Sequence, residues 1–169
     1  MFRLSISVYS PIFYCFLIQL LLHSSARKQI SEYFVDYNIY HNYNRYITDV
    51  NDIVNDPHNS NIVRLHSSHI KTNEGLTQSY LQLTDFSKPA QDKLKVLLVF
   101  GEHPRELVTT ESFFDLVYNL TKGYHASCHT AAGRLSRFIL SRLDLHLIGL
   151  LNQDGQSLSN NVYHDISSM

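Results

Sequence analysis

Cysteine is nearly missing from this chain, with only Cys15 and Cys128 in 169 residues. A disulfide framework is therefore excluded as the source of stability. An excess of charge is missing too, since 14 basic and 15 acidic residues leave a formal net charge of -1. Without a global field of either sign, nucleic acid and acidic membrane surfaces drop out as partners. The apolar run IFYCFLIQLLL, Ile12 to Leu22, is too short to span a bilayer comfortably. Internal repeats and low-complexity tracts are absent as well.

What remains is an ordinary globular composition, 44% hydrophobic and 17% charged. The length suits one domain with a real core and is too short for two. The first segment reads as an address and not as fold. Arg3 supplies a short positive region, the run to Leu22 is the apolar centre, and Ser24-Ser25-Ala26 offers the small residues a signal peptidase reads. Residues 1–26 are thus expected to be a signal peptide. The mature protein is expected to be secreted, with no membrane contact after cleavage. Asn119-Leu120-Thr121 is a glycosylation sequon consistent with that route. Removal of Cys15 strands Cys128 as a lone thiol.

Along the mature chain, Tyr33, Tyr37, Tyr40, Tyr43 and Tyr46 recur at helical spacing, as an aromatic face packed on a core would. Asn42 is a candidate cap for a helix with Ile47, Val50 and Val54 inward, ending before NDPHNSN. Two short strands, Ile62 to Ser67 and Gln78 to Leu83, flank KTNEG, which reads as a hairpin turn with Gly75 permissive. KVLLVF, Lys95 to Phe100, is continuously apolar, as a strand covered on both faces would be. From Pro104 the period becomes helical, with Gly123 a natural stop. RLSRFILSRL reads as another helix with Arg134, Arg137 and Arg142 outward, and LDLHLIGLLNQDG as a strand entering a turn at Asn152 to Gly155. Strand, helix, helix, strand implies an α/β domain.

The stretch FGEHPRELVTTE holds His103 and Glu106 three residues apart, just past an apolar strand. Imidazole nitrogen and carboxylate oxygen are zinc donors. Sites in open α/β sheets gather at the carboxyl ends of strands. By itself the pair is also what a polar helix start would look like, and a bare His-x-x-Glu is close to uninformative.

Its surroundings carry more. Gly101, His103, Arg105 and Glu106 resemble the zinc-ligand segment of the zinc carboxypeptidase family, the group of carboxypeptidases A and B. The Tyr40-Tyr43 region, the KTNEG turn and LLNQDG follow in the family's order. In the last of these, Asn152, Asp154 and Gly155 match its Asn-Pro-Asp-Gly turn and Gln153 replaces the proline. The resemblance implies a partial α/β/α carboxypeptidase-type domain with a mixed central sheet over residues 27–155. It implies one zinc ion held by His103 and Glu106, with Arg105 lining a substrate subsite, and peptide or protein C-termini as substrate. In the family the second histidine ligand, the carboxylate-binding arginines and the catalytic glutamate lie beyond this turn. Here QSLSNNVYHDISSM follows Gly155, without arginine or glutamate. The expectation is a truncated form with an incomplete zinc site, no catalytic residue of its own, and a disordered tail over 156–169. The other expectation is a secreted non-catalytic fragment that binds peptides or a partner, or self-associates through an exposed sheet edge. His146 is expected to be structural and His164 a poor substitute ligand. His125, Cys128 and His129 read as loop composition, and His66 and His69 as solvent-facing residues at a strand end.

Overall fold

The computed structural model describes residues 39–159, all within the compact unit Asn38–Met169. Expectations for the signal segment 1–26, Cys15, Tyr33, Tyr37 and His164 lie outside the described residues.

Helix α1 spans Tyr43–Asn55, and Asn42 caps it by accepting from the Arg45 N–H at 2.9 Å. Asp56 and Pro57 stop it and open a short 3-10 turn, Pro57–Asn61. Tyr46, Val50 and Ile53 are the buried positions, with Ile47 and Val54 only partly covered. Among the described tyrosines of the stripe, Tyr43 and Tyr46 lie in α1 and Tyr40 precedes its cap.

Strands β1 (Val63–Lys71) and β2 (Thr77–Leu83) form the expected antiparallel hairpin, with Leu65 opposite Leu81. Gly75 takes φ +80 in the turn, and its N–H donates to Thr72 O at 3.0 Å. β1 runs past Ser67, so His66 lies inside the strand and not at its end. Its ring stacks on Tyr80 at 4.8 Å, and its Nε2 is 2.9 Å from Gln82 Oε1. His69 is exposed as expected.

Strand β3 (Leu94–Val99) pairs in parallel with β4 (Leu143–Ile148), which pairs antiparallel with β2. The four-stranded order β1-β2-β4-β3 is therefore mixed, and the chain is α/β. β3 is an edge among the described strands, which corrects the expectation of cover on both faces. Val96 and Leu98 turn toward the helices, while Leu97 is 63% exposed and Val99 36% on the other face. Alternation along an extended strand makes this split unavoidable when the described helices cover only one face.

Helix α2 (Leu107–His125) carries Phe113, Phe114, Val117 and Leu120 into the core. There they meet Leu81 and Leu83 of β2, Leu145 and Leu147 of β4, and Tyr46 of α1. Gly123 does not stop α2. A Cβ there would lie 2.1 Å from Ser136 Oγ, so the glycine lets α2 and α3 (Ala131–Arg142) approach closely. Arg134 and Arg142 are solvated, but Arg137 is not. Its guanidinium donates to Ala126 O at 2.5 Å and Gly133 O at 3.1 Å, fastening the α2–α3 loop. In the sequon, Asn119 is exposed while Thr121 is buried and donates to Val117 O at 2.9 Å.

Residues 153–159 form the described part of a fourth helix, α4, capped by Asn152, whose Oδ1 accepts from the Gly155 N–H at 2.9 Å. Gln153 and Gln156 are buried there, so residues 156–159 are helical where a loose tail was expected. No described helix is long and apolar enough to cross a membrane.

Two outcomes check this packing. Phe113→Ala should cost about 3–5 kcal/mol in urea unfolding, while Leu97→Ser should stay within about 0.5 kcal/mol. Burial pushes the Asp144 carboxyl up, but bonds from Gln82 and His146, with Lys95 nearby, outweigh it and hold it below the ordinary range. A depressed folded value stabilises above the unfolded carboxylate pKa and is lost as pH falls through the folded one. Asp144→Asn should therefore flatten the acid limb of the stability curve; an unchanged limb would contradict this.

Candidate metal centre

The sequence FGEHPRE leaves β3 by a sharp reversal. Gly101 adopts φ +64, where a Cβ would fall 2.8 Å from Leu150 Cδ1 and 3.0 Å from Leu150 Cα. Only glycine fits both the backbone and the space. The next residues close a turn in which the Glu106 N–H donates to His103 O at 3.1 Å, with Pro104 at its favoured second position.

α2 thus begins at Leu107 and not at Pro104, and Glu106 is its cap residue, without a side-chain capping bond. His103 and Glu106 are brought together by this turn and not by a helical face. His103 Nδ1 lies 3.1 Å from Glu106 Oε2, and their side chains are 70% and 56% exposed. Arg105 between them is exposed.

The turn is bolted down from three sides. Thr109 Oγ1 donates to Glu106 O at 2.7 Å and accepts from the Gly101 N–H at 3.1 Å. The loop after β3 is zipped to the turn after β4. Phe100 N–H donates to Ile148 O at 2.8 Å, Leu151 N–H to Phe100 O at 3.0 Å, and Asn152 N–H to Gly101 O at 2.9 Å. The segment 150–154 is in turn held by the hairpin. Gln78 Nε2 donates to Leu150 O at 3.2 Å, Gln153 Nε2 to Thr77 O at 3.3 Å, and the Glu74 N–H to Asp154 Oδ2 at 3.1 Å. From α1, the Tyr46 hydroxyl reaches the Gly149 backbone N–H. Burial, then the Tyr43 neighbour, push that phenol's pKa up, and the Gly149 bond opposes them.

The pair therefore stands at the carboxyl ends of two adjacent parallel strands, where open α/β sheets keep their sites. Two donors at about 2.0–2.1 Å from one tetrahedral zinc lie roughly 3.3 Å apart. The observed 3.1 Å needs a shift of only a few tenths of an ångström to chelate. Among the described residues no group of three or more His, Cys, Asp or Glu gathers as a metal site. The pair accordingly fits two positions of a coordination shell. His125, Cys128 and His129 converge on nothing of the kind, and Cys128 is exposed. His146 is in β4, 3.3 Å from Asp144 Oδ2, in a structural contact. Sequence reasoning missed Thr109 and Asp154 as braces; their polar spacing on a loop and a first turn gave no sign of partners elsewhere in the chain.

Comparison with known proteins bears on the fold and the family. The fold and the strand-end turn define a carboxypeptidase-like α/β domain. A profile of the zinc carboxypeptidase family matches residues 54–167, more than half of the chain. The chain belongs to the zinc carboxypeptidase family. The match continues past Gly155, where the sequence resemblance had been drawn to a close. A zinc carboxypeptidase of Saccharothrix mutabilis subsp. capreolus is 29% identical over 119 residues, 70% of this chain and 25% of the relative. Among solved structures, carboxypeptidase A from Helicoverpa armigera aligns with a TM-score of 0.58 at 18% identity, over 72% of this chain and 26% of that one. A metallo-carboxypeptidase from Burkholderia cenocepacia gives 0.54 at 20% identity, over 70% and 29%. These two likenesses show the fold. The chain spans about a quarter of the length of the curated relative.

Gly101→Ala should cost about 1–3 kcal/mol from the strained backbone alone, and more from the Leu150 contact. Thermal unfolding checks it. A neutral effect would mean that the reversal after β3 is not held as described.

Proposed function

We propose that this chain carries part of the zinc centre of a metallocarboxypeptidase, with His103 and Glu106 as two protein ligands of one zinc ion. The observation that carries the reading is their 3.1 Å approach at the strand ends of a zinc carboxypeptidase family member. When bound, zinc would supply a water of lowered pKa and polarise a scissile carbonyl.

The chain's own residues set the stage for that chemistry. The Gly101 reversal and the Thr109 bolt fix the turn so that both donors point outward together. Glu106 contributes a carboxylate whose negative charge complements the start of α2 as well as the ion. Arg105, exposed beside Glu106, would line a substrate subsite and offer hydrogen-bond donors to a bound peptide. Substrates on this reading are peptide C-termini, and the chain acts outside the cell. The charged start, apolar run and small residues up to Ala26 support secretion.

On its own this chain is proposed to have absent or very low activity, because among the described residues no third His, Cys, Asp or Glu gathers with the pair to complete the shell, and the family's catalytic glutamate lies beyond the turn matched by Asn152–Gly155. Loss of a general base alone removes about 100- to 10,000-fold of rate. A second reading, a non-catalytic fragment that associates with copies of itself, is favoured by the open β3 edge and exposed Leu97.

Zinc titration by calorimetry should show His103→Ala and Glu106→Gln each weakening binding at least about tenfold, since even outer-shell losses do as much. Unchanged affinity in both would remove the assignment. Mass spectrometry of peptides incubated with the chain should show no chelator-sensitive shortening at the C-terminus; clear shortening would overturn the inactive reading. A concentration-dependent mass in size-exclusion would support association, and a monomer at all concentrations would count against it.

A further inference from the structure

One motif of the sequence takes no part in the metal turn. Asn119-Leu120-Thr121 is the only Asn-x-Ser/Thr triplet in the chain. It lies in the second half of α2, where Asn119 is exposed and Thr121 is buried. Ser112, Asp115, Asn119 and Lys122 recur at three- and four-residue steps and are all exposed, so they form a solvent stripe along the helix. Lys122 leans its ammonium over the Tyr118 ring, 5.3 Å from the centroid, and leaves Asn119 uncovered. Among the described residues the Asn119 carboxamide has no hydrogen-bond partner. The twelve residues from Leu107 to Asn119 (119 minus 107) carry it about 18 Å along the helix axis, away from the turn His103–Glu106.

Thr121 faces the other way. Successive helical residues turn by about 100°, so residues two apart point to nearly opposite sides. The Thr121 hydroxyl donates to Val117 O at 2.9 Å and lies 3.3 Å from Tyr118 O. Leu120 beside it is in the core, and Gly123 is closed off by Ser136 of α3. An enzyme that modifies such a triplet must read the third residue as well as the first, because the acceptor motif demands a hydroxyl there. On the folded helix no single enzyme surface can touch both the Asn119 carboxamide and the Thr121 hydroxyl.

We propose that Asn119 is an N-glycosylation site, filled before α2 folds and closed to the transferase afterwards. The bond that forms joins Asn119 Nδ2 to the anomeric carbon of an oligosaccharide, and the carboxamide gives up one proton. The bond that breaks joins that carbon to a polyprenyl pyrophosphate, which leaves with the bonding electron pair. The donor is the lipid-pyrophosphate-linked oligosaccharide of the secretory lumen, so the proposal rests on the secretion reading. It does not depend on the metal reading. Once α2 packs, the sugar projects from the solvent stripe, and no hydrogen bond between the Asn119 side chain and another described residue is lost.

The test uses the full chain in secreting eukaryotic cells, once with its own residues 1–26 and once with a proven secretion signal in their place. Mass spectrometry of the exported protein, before and after enzymatic removal of N-linked sugars, should show the loss of one glycan and Asn119 converted to aspartate. Asn119→Gln should abolish that mass difference, and Thr121→Ser should keep it. Export behind the proven signal with Asn119 unmodified would overturn the proposal. A sugar there behind the proven signal, with neither sugar nor export for the native leader, would support Asn119 as acceptor and remove the secretion reading instead. The order of events has its own arm. Chain folded without the sugar, then mixed with purified oligosaccharyltransferase and the lipid-linked donor, should stay unmodified. Phe113→Ala, loosened where α2 packs, should be modified whether or not it folds. Equal modification of the two would overturn the closure of the site by folding.

Discussion

Three backbone hydrogen bonds between the loop after β3 and the turn after β4 hold this architecture at its working end. They continue the parallel β3–β4 ladder past the last strand residues, from Phe100 and Ile148 to Gly101 and Asn152. Parallel pairing needs a long crossover, here supplied by α2 and α3 between the two strands. The zipper thus joins chain segments some fifty positions apart and makes a single platform of two loops. A slip of one residue would invert the strand faces and move Leu145 and Leu147 out of the core. Backbone groups of this kind are obligatory partners when buried, so the platform is favoured by the cost of leaving them unpaired.

From that constraint the remaining contacts acquire their roles. Gly101 lets the backbone reverse against Leu150, and Phe113 occupies the space that Gly149 leaves open, since a Cβ there would meet its ring at 2.7 Å. Thr109 ties the first turn of α2 back to Gly101. The hairpin turn reaches across through Glu74 to Asp154. The exposed pair His103 and Glu106 therefore stands on a rigid base although its own side chains are solvated. Precise placement of donors on rigid elements is what a metal site requires.

Much of this was legible in the residues. Asn42 as a cap, Gly75 in the hairpin turn and the two strands beside it follow from local physical chemistry, and the family resemblance pointed to the turn His103–Glu106. Other features were hidden for identifiable reasons. The start of α2 was misplaced because proline is welcome both in a first helical turn and in a β-turn, and only the Glu106-to-His103 bond distinguishes them. KVLLVF read as a strand covered on both faces because composition cannot say where a strand sits in the sheet order. Gly123 read as a stop because its contact is with Ser136, on another helix. Gln153 and Gln156 read as the approach to a loose tail, yet their amides serve the carbonyls of Thr77 and His41. The partnership of His41 with Glu111 spans 70 positions, and nothing local announces it.

The central claim is that one turn at the end of β3 presents two ligands to a single ion. Anomalous diffraction at the zinc edge, from crystals of the chain grown with zinc, addresses it directly. The account predicts a peak within about 2.0–2.2 Å of both His103 Nδ1 and a Glu106 carboxylate oxygen. A peak only elsewhere on the chain, or none at the turn with zinc present in excess, would contradict it.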